Sequence, residues 1–209
     1  MKDYKNKLIF TSILAMLPIL TGLLLYRDLP AEVPIHFDMT GNPDGFAKKY
    51  MVIIFLPVFL TAVHLFTMIY TIHDPKKKNI GNKMIGFTFY LIPLISLIAC
   101  SSIYIYALGY KLNIARVSMI MVGVLFMILG NYMTKTHQNY TIGIKLPWTL
   151  NSIENWNKTH RLASRLYVLA GAILILSSIW LLTWILIVVI IVILVVPVIY
   201  SFMLYKKGI

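Results

Sequence analysis

Long apolar runs, separated by short polar segments, make up most of the chain. Four of the runs are about as long as one membrane span, and the last is about twice as long: 8–25, 51–72, 84–108, 114–133 and 162–205. A helix crosses about 30 Å of hydrocarbon with roughly 20 residues, so each of the first four runs predicts one transmembrane helix. The last run, as a single helix, would be about 66 Å long. It therefore predicts two spans, at about 162–180 and 184–205, with a turn near Ser178–Thr183.

This pattern predicts an all-α membrane protein with six transmembrane helices, folded as a single integral-membrane domain over residues 1–209. The composition agrees, because 59% of the residues are hydrophobic and only 12% are charged, whereas soluble domains contain about 25% charged residues. No polar stretch reaches the roughly 50 residues that a separate soluble domain needs. Residues 2–25 resemble a signal peptide, but the apolar run is longer than the usual length of about 7–15 residues. We interpret it as an uncleaved first span.

Lysine and arginine are distributed unevenly between alternate loops. Of the 19 such residues, 14 fall on the side that holds both termini in a six-span topology. Because cytoplasmic loops are enriched in Lys and Arg, we expect both termini in the cytoplasm, an outer loop at 26–50 and an inner loop at 134–161. The same bias explains the net charge of +12, which in a soluble protein would suggest nucleic-acid binding. Here no direct contact with nucleic acid is expected, and the bilayer is the partner.

The outer loop contains the first polar segment, residues 29–49. Apolar residues from Val33 to Met39 alternate with polar or turn-forming ones, and a period of two predicts a short extended strand. The four residues Asn42–Gly45 then fit a type I turn, with proline second and glycine fourth. The segment is therefore predicted to form a compact strand-and-turn lid on the extracellular face.

The polar side chains of this lid allow two interpretations. They could hydrogen-bond the lid to itself, or they could form a docking surface for an extracellular ligand, because an extended edge strand can accept a peptide. His36, Asp38 and Asp44 are the residues that could bind a metal ion. Their spacing matches no established zinc or calcium loop, so neither a metal nor another cofactor is expected.

The second polar segment covers residues 134–165. It begins with β-branched alternation that Pro147 ends, and Asn151 could then cap a helix with Glu154 reaching back to it. Apolar and aromatic residues of this helix, among them Trp156, share one face. The pattern predicts a cytoplasmic interfacial helix leading into the fifth span. It could serve only as an anchor at the inner leaflet, or as a cytoplasmic docking site.

Both polar segments resemble a known bacterial family. V-P-I-H-F-D-x-x-G-N-P-D-G, at Val33–Gly45, is similar to the signature of a membrane domain of unknown function. I-G-I-K-L-P-W-T-L followed by E-N-W-x-K-T-H-R-L-A, within Ile142–Ala163, is similar to the second signature of the SdpI family. That family is named for the immunity protein against the sporulation-delaying toxin. The likeness extends over the whole chain in length, in number of spans and in the order of the motifs.

The resemblance implies a multi-pass protein of the bacterial plasma membrane that protects its producer from an exported, membrane-active toxin peptide. It also implies signalling, in which the protein holds a cytoplasmic transcriptional repressor at the membrane. The positions expected to bind the extracellular ligand are Pro34, His36, Phe37, Asp38, Gly41, Pro43 and Asp44. The positions expected to bind the cytoplasmic partner are Gly143, Lys145, Pro147, Trp148, Thr149, Asn155, Trp156 and His160. Lys145 stands where the family often has arginine, so it keeps the charge but lacks the bidentate fork.

The residues leave two other classes of function open. One is an enzyme or small transporter that acts on an envelope lipid, and the other is a membrane scaffold whose motifs serve only folding. The chain contains no H-E-x-x-H, G-x-S-x-G or P-loop motif, and no nucleophile and base surround His160 in sequence. We therefore expect no catalytic residues and a protein that is not an enzyme.

Overall fold

The computed structural model describes residues 2–209 and contains six helices that are long and apolar enough to cross a membrane. In chain order the helices are α1 (Lys2–Leu24), α2 (Leu56–Ile72), α3 (Asn82–Ala107), α4 (Ile114–Met133), the short α5 (Pro147–Asn151), α6 (Ile153–Ser177) and α7 (Trp184–Lys206). A π-helical turn, Met51–Phe55, leads directly into α2. The predicted all-α membrane architecture with six spans is confirmed.

Packing divides the chain into two compact units. The first consists of Met1–Ile72 and Ile85–Ile114, and the second of His73–Met84 and Ala115–Ile209. Each unit contains one of the two polar segments, so each is described by itself. That the whole chain forms a single integral-membrane domain stays a prediction.

The core of the first unit packs α1, α2 and α3 beneath the first polar segment. Val33 and Leu29 of that segment are buried together with Ile53, Cys100 and Tyr104. The lone cysteine is therefore a small core residue. The segment is anchored by its own apolar residues, which fixes its position over the helices.

Two buried polar side chains of this unit, His64 and Ser96, bond to the neighbouring helix α1. The His64 Nε2 lies 2.9 Å from the Thr11 hydroxyl, and the Ser96 hydroxyl donates to the Ala15 carbonyl at 2.8 Å. In hydrocarbon an unpaired polar group costs several kcal/mol, so such bonds favour one helix arrangement. His64 packs as a hydrogen-bonded core residue.

The first polar segment forms an antiparallel hairpin of β1 (Glu32–Phe37) and β2 (Pro43–Lys48). The extended strand was predicted, but the turn was placed wrongly. Residues 43–45 belong to β2, and the chain reverses at residues 38–42. The Asp38 side chain closes this earlier turn, and Gly41 supplies a positive φ of 90°. A proline can begin β2 because the first residue of a strand need not donate to the ladder.

The second polar segment also differs from its prediction. The interfacial helix is not a separate element, because α6 continues without a break from Ile153 through the apolar run to Ser177. The N-cap is Ser152 rather than Asn151, and its hydroxyl accepts the Asn155 N–H at 3.1 Å. The β-branched residues before Pro147 form no strand in the part of the chain that the structure describes.

Helices α4 and α6 approach each other closely at glycines. A Cβ built on Gly171 would lie 2.3 Å from the Gly123 carbonyl oxygen, and one on Gly130 would lie 2.8 Å from the Ser164 carbonyl oxygen. The Ser164 hydroxyl also donates to the Gly130 carbonyl at 2.6 Å. Small residues at such crossings allow backbones to pack in membranes.

We expect Gly171→Ala to destabilise the protein by about 1–3 kcal/mol, because the new methyl group must displace backbone atoms. Thermal unfolding in detergent would measure the loss. Gly86→Ala is the matched control, since its Cβ would meet only the flexible Lys7 Nζ at 3.7 Å. Equal stability of the Gly171→Ala protein and wild type would contradict the close α4–α6 packing.

Candidate functional site

The turn of the hairpin is organised by one carboxylate. The Asp38 Oδ1 accepts the Thr40 hydroxyl at 2.7 Å and the N–H groups of Thr40 and Asn42, both at 2.8 Å. The side chain thus replaces backbone partners that a five-residue turn leaves open, as Asx turns do. These donors, the Thr40 hydroxyl first, lower the pKa of Asp38 below its usual 3.8.

This arrangement predicts a pH dependence for the hairpin turn. Because the pKa of Asp38 is lower in the folded protein, its contribution is complete above the unfolded value and is lost as the pH falls through the folded value. Hydrogen exchange of the Asn42 amide, corrected for intrinsic rate, should therefore accelerate only in strong acid. The Lys49 amide donates to the Ala31 carbonyl and serves as a control without a titratable acceptor. A parallel change at both amides would contradict the role of Asp38.

An exposed histidine–carboxylate pair crosses the hairpin beyond the turn. The His36 Nδ1 lies 2.5 Å from the Asp44 Oδ1, and the two side chains are 72% and 48% exposed. Gly45, which faces His36 across the strands, makes room for this pair, since a Cβ there would lie 2.9 Å from the His36 Cβ. The contact fixes the imidazole ring, while most of the His36 side chain stays exposed.

The remaining residues of the first motif hold the hairpin in place. Pro34 is buried, and the Phe37 ring packs edge-on against Tyr106 with centroids 5.1 Å apart. Gly41 lies against Asn113, whose amide donates to the Thr40 carbonyl at 3.1 Å. Of the seven predicted positions, His36 and Asp44 are thus the most available to a ligand, while the others position them.

The sequence interpretation missed the exposed apolar side chains of the hairpin. Ile35, Met39 and Phe46 of the hairpin are 51%, 48% and 55% exposed. An open groove of about 530 Å³ is lined by Gly41 and Asn42 of the hairpin turn and by the connection between α3 and α4, including Tyr110 and Lys111. The hairpin therefore exposes both apolar side chains and one polar pair.

In the second unit, His160 is fully engaged within the protein. Its Nδ1 lies 2.8 Å from the Trp156 carbonyl, and its Nε2 accepts the Ile144 N–H at 3.0 Å. The ring stacks on Trp156 with centroids 3.9 Å apart, and both side chains are buried. Gly143, with φ of 127°, is required here because a Cβ would lie 2.6 Å from the His160 Nε2.

Two other motif residues fasten α6 and α5 to α7. The Asn155 amide donates to the Ser201 carbonyl at 3.0 Å, and the Trp148 Nε1 donates to the Ser201 hydroxyl at 3.0 Å. Trp148 also stacks on Tyr205. Ser201 lies in an apolar run and carried no signal in the sequence.

The loop ahead of α5 is held by a hydroxyl and an ammonium group. The Thr149 hydroxyl donates to the Ile144 carbonyl and accepts the Leu146 N–H. The Lys145 Nζ lies 3.1 Å and 3.0 Å from the carbonyls of Tyr140 and Thr141. Lys145 and Pro147 are the exposed members of the second motif.

A buried carboxylate outside both motifs supports the same loop. Asp74 is 7% exposed, and its Oδ2 accepts the Tyr140 N–H at 2.9 Å and the Thr141 hydroxyl at 2.6 Å. Asn139 likewise accepts the Thr141 and Ile142 amides. The sequence could have pointed to Asp74, because it is one of only seven acidic residues in a strongly basic chain.

The geometry of the two motifs limits the chemistry that each can perform. A cavity of about 200 Å³ opens beside His160 and Gly143, but both nitrogens of His160 already have partners. His160 is thus poorly placed to act as a general base or metal ligand. No group of three His, Cys, Asp or Glu side chains that could hold a metal ion occurs among the described residues. The first site is suited to binding and the second to holding a shape.

Comparison with known proteins identifies relatives of both parts of the chain. Residues 135–201 match the model of the SdpI/YfhL protein family. Residues 13–61, which contain the hairpin, match a domain of unknown function (DUF1648). The chain is 32% identical over 176 residues to the immunity protein SdpI of Bacillus subtilis (strain 168). The aligned region covers 83% of this chain and 82% of the relative. No solved structure matches the chain.

Proposed function

This chain belongs to the SdpI/YfhL protein family, and from that premise we propose that it is a membrane immunity protein. It protects a bacterium against an exported, membrane-active toxin peptide by binding rather than by catalysis. The six apolar helices and the relative's printed function support this proposal. The single observation that carries it is that the hairpin exposes both apolar side chains and the His36–Asp44 pair.

The proposed topology places the hairpin outside the cell. The asymmetry of Lys and Arg supports cytoplasmic termini, and an even number of spans keeps both termini on one side. The connection between α1 and α2 is then extracellular, and residues 134–152 are cytoplasmic. A toxin arriving from outside would meet the hairpin first.

The proposed binding surface consists of Ile35, Phe46, His36 and Asp44. A membrane-active peptide carries both apolar and polar groups, and this surface offers partners for both. The exposed edges of the two strands could also add an extended segment of the peptide as a further strand. Pro34, Phe37, Asp38, Gly41 and Pro43 serve this surface by fixing the hairpin.

On the cytoplasmic side we propose a docking site for a transcriptional repressor. The buried members of the second motif, Trp156 and His160 among them, shape the loop, and the exposed Lys145 and Pro147 touch the partner. The bonds from Asp74 to Thr141 and from Lys145 to its own loop support a preformed surface. Occupancy of the hairpin would be reported to this surface through the helices.

The experiment is a protection assay in a toxin-sensitive bacterium that lacks the protein. Cells that express the chain and cells with an empty vector are exposed to secreted membrane-active peptides, including the sporulation-delaying toxin. We expect selective survival of the expressing cells against at least one such peptide. Equal killing of both, at a verified membrane level of the protein, would contradict immunity.

A further inference from the structure

One ridge of α6 changes from cationic to apolar within a single turn. Arg161, Arg165, Leu169 and Ile173 follow one another at intervals of four residues, which places them on one i±4 ridge of the helix. Both arginines are exposed, and Leu169 and Ile173 are 60% and 45% exposed. The ridge is defined by these four residues.

The apolar half of the ridge lines a groove between α6 and α7. The groove has a volume of about 320 Å³, and all of its lining side chains are apolar, including Leu169, Ile173, Trp184 and Val188. It therefore fits a hydrocarbon chain. The arginines lie one and two turns from it toward the polar end of the same helix.

No acidic side chain of the second unit is free to pair with these arginines. The unit contains two acids, Asp74 and Glu154. Asp74 accepts the Tyr140 N–H and the Thr141 hydroxyl, and Glu154 pairs with Lys158 at 2.7 Å. The positive charge of the ridge is thus uncompensated by that unit.

We propose that the groove and the two arginines together bind one anionic phospholipid. The phosphate lies at Arg161 and Arg165, because a guanidinium donates to phosphate oxygens in a matching planar geometry. One acyl chain lies along Leu169 and Ile173 in the groove. The distance from Arg165 to Leu169, about 6 Å along the helix, is the step from headgroup to hydrocarbon. This site is independent of the proposed immunity, since it needs no toxin.

Spin-labelled lipids test the proposal with the full chain reconstituted in phosphatidylcholine vesicles. The fraction of immobilised label is measured for phosphatidylglycerol and for phosphatidylcholine carrying the same nitroxide acyl chain. We expect about a thirtyfold preference for phosphatidylglycerol, since the two arginines of the site each attract the anionic headgroup. No preference would overturn the proposal, and a dimer cross-linked through α6 would then assign the groove to a second copy.

Two pairs of variants separate this site from general surface charge and general lipid contact. Arg161→Gln with Arg165→Gln should abolish the preference, whereas Lys78→Gln with Lys83→Gln removes the same charge from exposed positions away from the ridge and should keep it. Equal loss in both would show only a surface-charge effect and would overturn the site.

The second pair tests the groove itself. Val188→Phe fills the groove and should also abolish the preference for phosphatidylglycerol. Ile191→Phe adds the same ring at a 54% exposed position of α7 outside the groove and should retain it. An unchanged preference in the Val188→Phe protein would overturn the placement of the acyl chain.

Discussion

Replacement of Asp44 by asparagine is expected to abolish protection while the protein still inserts and folds. The carboxylate holds the His36 Nδ1 at 2.5 Å and is itself 48% exposed, so its loss removes a charge and frees the imidazole ring in the proposed binding surface. In the proposed surface, a charge-assisted hydrogen bond from the toxin to the Asp44 carboxylate contributes about 1.5–3 kcal/mol, so its loss corresponds to roughly a 10- to 150-fold loss of affinity for the toxin. The survival of cells over a range of toxin concentrations would measure the effect.

The control for this variant lies in the same loop. Asp28→Asn removes the same charge from an exposed position near the end of α1 and should leave protection unchanged. His36→Ala should resemble Asp44→Asn, and the two together should lose little more than either alone, because residues that act as a pair are not additive. Full protection by the Asp44→Asn protein would exclude the pair from toxin recognition.

Replacement of Trp156 by alanine is expected to produce the largest loss of stability. The indole is fully buried, donates from Nε1 to the Thr136 carbonyl at 2.9 Å and stacks on His160. Truncation of a buried tryptophan costs about 3–5 kcal/mol, and here it also leaves the Thr136 carbonyl without its donor. Thermal unfolding of the purified protein in detergent should show a large decrease in the midpoint.

Trp180→Ala provides the comparison, since that side chain is 69% exposed and its loss should change the midpoint little. The proposed recruitment of a repressor by the second motif should also fail in the Trp156→Ala protein at permissive temperature, because the loop that carries Lys145 loses its support. Similar midpoints for the two alanine variants would contradict the structural role of Trp156.

The apolar spans could be predicted from the sequence because membrane helices are specified by length and hydropathy alone. The turn of the hairpin could not, since Asn42–Gly45 carries a good type I turn pattern. The Asp38 side chain instead collects three donors and closes the chain earlier. Local side-chain bonds of this kind compete with backbone preferences. Which turn forms then depends on tertiary contacts, such as the hydrogen bond from Asn113 to Thr40.

The candidate site was likewise predictable only in part. Both motifs were found from the sequence, but which of their residues face outward was not, because burial depends on tertiary packing. His160 and Trp156 proved to be buried together, and the exposed residues Ile35 and Phe46 lay outside the predicted set. Asp74 and Ser201 bond to the second motif but lie more than 50 residues from their partners Thr141 and Trp148 in the sequence. The motif pattern therefore could not reveal them.

The most direct measurement of the central claim is photo-cross-linking of the toxin to the hairpin in intact membranes. A photoreactive phenylalanine analogue is placed at Phe46 on the hairpin or at Phe66 on α2, which is 72% exposed, and the sporulation-delaying toxin is added from outside. We predict an adduct at position 46 that weakens with Asp44→Asn, and little at position 66. Equal adducts at both positions, or none at position 46, would contradict recognition by the hairpin.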